Sequence, residues 1–100
     1  MNFDQKIKAI NFDISLWSGI EGLGLDTDTV KLLYKNNNGD YVEAIDFDIM
    51  KLSTSKQKPS NYYYEFPSKT STIKFEVFDG NPSGDRNKGR VVIGNMNIFY

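Results

Sequence analysis

Side-chain oxygens fall at every second position from Asp79 to Asn87, and this is the densest concentration of chemistry in the sequence. In Asp79-Gly80-Asn81-Pro82-Ser83-Gly84-Asp85-Arg86-Asn87 a curled loop can aim several oxygens at one centre, which suits a hard cation. Calcium takes six to eight oxygens at about 2.3–2.6 Å, so Asp79, Asn81, Ser83 and Asp85 are the candidate metal ligands. The competing reading is a connection between strands in which Gly supplies positive φ, Pro fixes φ, and Asp or Asn bonds its own backbone. Arg86, Lys88 and Arg90 bring positive charge beside the loop and weaken cation binding, which favours the turn.

The loop resembles the first positions of an EF-hand, but position twelve is Arg90 where a bidentate Glu is required, and strand patterns flank it. A looser resemblance is to calcium-dependent membrane-binding sandwich domains, which gather Asp residues from adjacent loops. Asp26, Asp28, Asp79 and Asp85 would form such a set if their loops met.

The chain has no His and no Cys. Zinc sites of the usual kind, thiol nucleophiles, His-based triads and disulfides are thereby removed. Asp26 with Asp28, and Asp46 with Asp48, are the remaining acid/base pairs, but a glycosidase needs its carboxylates about 5–10 Å apart across a sugar cleft. A small carboxylate-based hydrolase therefore ranks last, and no catalytic residue or cofactor is assigned. The aromatics offer a different chemistry, because they bring large contact area at low entropic cost. Alternation buries Tyr62 and Tyr64 and exposes Tyr63, while Trp17 leads into a Gly-rich loop and Phe99 and Tyr100 are too apolar for a frayed end. Trp17, Tyr63, Phe99 and Tyr100 are the candidate interaction residues.

These groups must be carried by strands. Ile10, Phe12, Ile14 and Leu16 alternate with polar residues, as do Val30, Leu32 and Tyr34; Tyr62, Tyr64 and Phe66; and Ile73, Phe75 and Val77. The third strand, 41–50, places Tyr41, Glu43, Ile45 and Phe47 on one face. Residues 90–100 make the last strand, which Gly94 interrupts at a bulge or close contact. Asn38-Gly39 predicts a type I′ hairpin turn, Pro67-Ser68-Lys69-Thr70-Ser71 a second turn, and the polar run 52–60 an exposed connection. The one helical contender, residues 3–9, is short and lacks a stripe. Gly19-x-x-Gly22-x-Gly24 has the wrong order for a dinucleotide fingerprint and no helix after it.

One hundred residues fit a single domain, 1–100. The pattern predicts an all-β, antiparallel β-sandwich or small open barrel of about six to eight strands. Residues 1–50 hold 9 acids and 4 Lys, and 51–100 hold 4 acids and 8 Lys or Arg, giving −5 and +4 and a net charge of −1. That balance disfavours nucleic acid, and an interleaved fold would mix the two halves. No apolar run reaches signal-peptide or membrane-span length. The expected location is the cytoplasm or an intracellularly assembled particle. The expected role is a non-enzymatic structural or protein-interaction module working by assembly, with a protein partner or self-association. The alternatives are a calcium-dependent or carbohydrate-binding sandwich, and a small virus- or phage-encoded assembly or inhibitor protein.

Overall fold

The computed structural model describes residues 1–16, 29–48, 51–53, 57–78 and 91–100. Within them lie β1 (Asn2–Leu16), β2 (Thr29–Lys35), β3 (Tyr41–Asp46), β4 (Ser60–Phe78) and β5 (Val91–Phe99). The strands form a single antiparallel sheet in the order β3-β2-β4-β1-β5, with β3 and β5 as its edges. The chain is all-β, as its alternation predicts. Among the described residues there are five strands in one open sheet where six to eight in a sandwich or barrel were expected.

The difference lies in β4. A straight strand of 19 residues would span roughly 60 Å at about 3.3 Å per residue, yet the longest dimension of the molecule is 38 Å. The strand bends. Its first part pairs with β1, Tyr62 opposite Phe12, and its last part pairs with β2, Phe75 opposite Leu32. The Phe12 ring nevertheless lies 6.1 Å from Tyr62 and 5.2 Å from Phe75. The bend therefore folds the inner faces of both halves onto one core, which also takes in Ile7, Ile10, Ile14, Val30, Leu32, Phe47, Phe66 and Ile73. Interleaving second-half β4 between first-half β1 and β2 mixes the charges of the two halves, with Lys31 of β2 opposite Glu76 of β4 in the ladder.

Residues 67–71 do not form the expected turn; they are an irregular stretch inside β4. Ile7 pairs with Thr70 and Ala9 with Glu65, so residues 66–69 stand opposite Lys8 alone. An irregular ladder shifts the pleat, and here the inward positions pass from Tyr62, Tyr64 and Phe66 to Ile73, Phe75 and Val77. The same device recurs in β3. Leu32 pairs with Ile45 and Leu33 with Glu43, leaving Ala44 extra. Ile45 and Phe47 consequently pack inward with Val42 and Ala44, while Tyr41, Glu43 and Asp46 face solvent. The uninterrupted alternation expected for that strand is corrected accordingly. Residues 3–9 belong to β1, not to a helix.

The β2–β3 connection also differs in detail. Gly39 N–H donates to Asn36 O at 3.0 Å and Asn36 N–H to Asp40 O at 2.9 Å. Gly39 has φ 84° and Asn38 does not share the positive region. This is a type I turn followed by a left-handed Gly, the three-residue hairpin form, instead of type I′.

Candidate interaction surface

Three of the four aromatics singled out from the sequence lie at the β4–β1–β5 end of the sheet. Tyr63, Phe99 and Tyr100 are 57%, 43% and 57% exposed. Tyr63 and Phe99 come from the strands flanking β1, and their rings meet edge to face at 5.9 Å with an interplanar angle of 66°. Ala9 is the register partner of Phe99 and is fully buried. A methyl group on the strand between them leaves room for the two rings to approach.

Beside the rings runs a network of amides around one carboxylate. Asn11 pairs with Tyr63 on β4 and with Asn97 on β5. The Asn11 Nδ2 donates to Asn61 Oδ1 at 2.9 Å and to Tyr62 O at 3.1 Å. Asn61 Nδ2 donates to Asp13 Oδ1 at 2.9 Å, and Asn95 Nδ2 to Asp13 Oδ2 at 2.7 Å. These bonds, Asn95 first and Asn61 second, stabilise the ionised carboxylate and hold Asp13 below the usual aspartate range. Asn95 can reach because it sits in a bulge: Asn11 pairs with Asn97 and Asp13 with Gly94, so Asn95 and Met96 oppose Phe12 alone. Its φ of 48° is one that Asn tolerates better than most residues. The interruption anticipated at Gly94 is thus a bulge at its neighbour.

β5 forms the rim of this surface. Among the described residues it pairs with β1 alone, so the outward backbone groups of one side lie on a sheet edge. Its sequence, Val91-Val92-Ile93-Gly94-Asn95-Met96-Asn97-Ile98-Phe99, contains no charged residue. β3, the opposite edge, carries Glu43 and Asp46.

Trp17 and the proposed cation loop, with Asp79, Asn81, Ser83 and Asp85, lie outside the described residues, as do Asp26 and Asp28. Among the described residues no cluster of three His, Cys, Asp or Glu could hold a metal. Asp46 and Asp48 are exposed, with Asp48 3.9 Å from Lys51. Tyr62 and Tyr64 face the core side, as alternation required. Burial and the neighbouring Tyr34 push the Tyr64 phenol above its ordinary value. The amides were not singled out from the sequence; the available signal was Asn11 and Asp13 on the polar side of an alternating strand. Among the described residues no helix is long and apolar enough to cross a membrane. Comparison with protein-family models, with curated proteins and with solved structures finds no match.

Proposed function

We propose that this domain is a non-enzymatic assembly module that joins a second copy of itself by strand pairing along β5. The observation that carries the reading is the charge-free edge strand beside exposed Phe99 and Tyr100. Soluble proteins ordinarily blunt an exposed edge with charged side chains, Pro, a bulge or a short strand. β3 follows that practice with two acids, whereas β5 has only the bulge at Asn95 and Met96, which leaves 97–99 as a regular segment. A neutral strand meets its own symmetry mate without like-charge repulsion, and an antiparallel pair about a two-fold axis is a closed, isologous interface. Phe99 and Tyr100 supply the apolar area at its margin, the residue types that anchor interfaces.

A carbohydrate ligand is served less well by this geometry. Tyr63 and Phe99 are inclined at 66° and offer no common plane to a sugar chain.

Light scattering over a concentration series, with and without calcium and chelator, tests the proposal together with Asn97→Lys. Asn97 is exposed and its one side-chain bond, to Asn95 O, is 3.5 Å long, so the substitution adds a charge to the edge while leaving the core untouched. The expected result is a dimer insensitive to chelator that Asn97→Lys converts to a monomer with an unchanged circular dichroism spectrum. A wild-type monomer at every concentration, or a dimer that Asn97→Lys leaves intact, overturns edge pairing. A monomer stabilised by calcium points to the calcium-dependent alternative.

A further inference from the structure

The irregular stretch in β4 does more than bend the strand. It carries Lys69, Thr70 and Ser71 to the mouth of a cavity of about 450 Å³, whose other walls are Lys6 of β1 and Lys35, Asn36, Asn37 and Gly39 at the β2–β3 turn. Among the described residues three lysines and no carboxylate line this space. The ion pairs of the described residues use Lys31, Lys51 and Lys74, so Lys6, Lys35 and Lys69 have no carboxylate partner among them. The Lys35 Nζ also lies 5.5 Å from the centroid of the Tyr41 ring. Cationic side chains around one space repel one another, and an anion between them relieves that repulsion.

The neutral lining is also turned toward donation. Asn36 Oδ1 accepts the backbone N–H groups of Asn38 at 2.9 Å and Asp40 at 3.0 Å. Those two bonds fix the orientation of the amide and leave its NH2 as the free end. The Thr70 hydroxyl donates to Lys35 O at 2.7 Å and ties β4 to the end of β2, which holds two of the lysine-bearing segments together. Ser71 and Asn37 add further donors at the rim. Cavities of about 300–1,000 Å³ accommodate small ligands, and three ammonium groups with amide and hydroxyl donors match a multiply charged oxyanion better than a single carboxylate.

We infer that the Lys6–Lys35–Lys69 cavity binds the phosphate or sulfate group of a small anionic ligand. This site is built on the middle of β4, Lys6 of β1 and the β2–β3 turn, shares no residue with the Tyr63–Phe99 surface and does not depend on edge pairing.

Titration of the amide NMR spectrum of the full chain with inorganic pyrophosphate, with sulfate, and with chloride at matched ionic strength tests the inference. The expected result is saturable movement of the Asn36, Asn37, Thr70 and Ser71 signals with pyrophosphate or sulfate, absent with chloride. The tighter of the two oxyanions identifies the ester class. Lys69→Gln should weaken binding about tenfold, the loss of one charge-assisted bond of about 1.5 kcal/mol, and Lys6→Gln by a similar factor. Lys8→Gln, exposed on the same strand but outside the lining, should bind as the parent does. Shifts that follow ionic strength alone, or equal weakening by Lys8→Gln and Lys69→Gln, overturn the site.

Discussion

Replacing Phe12 by Ala probes the central claim about this fold, that one bent strand closes two half-sheets on a single core. Phe12 is fully buried, and its ring touches Tyr62 at 6.1 Å, Phe47 at 6.1 Å and Phe75 at 5.2 Å. Tyr62 belongs to the first part of β4 and Phe75 to the last, so truncation empties the point where the halves meet. A Phe→Ala change in a core costs about 3–5 kcal/mol, and the lost edge-to-face pairs place Phe12 in the upper part of that range. A domain of this size has about 5–15 kcal/mol in total. At about 4–8 °C per kcal/mol, the melting temperature should fall by roughly 15–40 °C. Phe12→Leu, which retains most of the apolar volume, should cost about 1–2 kcal/mol, and Tyr63→Ala on the outer face less than about 1 kcal/mol. Urea unfolding followed by Trp17 fluorescence gives all three from midpoints at constant slope. A loss below about 2 kcal/mol for Phe12→Ala, or a loss no larger than that of Tyr63→Ala, would mean that the halves of β4 do not share a core.

Asn36→Ala should cost about 1–2 kcal/mol in the same assay, since the Asn36 carboxamide accepts two backbone N–H groups of the turn; a neutral result would remove it from the turn. Gly39→Val should cost more, because φ 84° is hostile to a β-branched side chain. Asn95→Val should be less stable than Asn95→Gly by about 1–2 kcal/mol, reflecting the positive φ at the bulge; equal midpoints would contradict the bulge. Asp13 has a folded pKa lowered by Asn95 and Asn61, so its contribution is present above the unfolded aspartate value and is lost as pH falls below about 4 through the folded one. Carboxyl NMR should show Asp13 titrating lower in the parent than in Asn95→Ala, and an unchanged value would exclude the hydrogen bond as the cause.

Period-2 alternation in the sequence was enough to establish an all-β chain, to bury Phe12 and Ile73, to turn Tyr62 toward the core, and to expose Tyr63. Phe99 and Tyr100 were singled out from apolarity alone, and both are exposed, while Asn36-Asn37-Asn38-Gly39 was legible as a hairpin. The assembly of Asn11, Asp13, Asn61 and Asn95 was not legible, because its members are remote in sequence and meet only through strand register. The lysine cavity was hidden for the same reason: Lys6, Lys35 and Lys69 belong to three segments joined by the ladder of β4. Strand number was lost at 67–71. There the inward positions pass from even to odd, a slip that a hairpin turn and an irregular ladder produce equally well. Alternation reports which face a side chain takes, and it carries no record of whether the chain reverses. That choice belongs to the partners of the backbone, and in this protein β1 and β2 claim successive parts of one strand, so the chain runs on where its composition suggested a reversal.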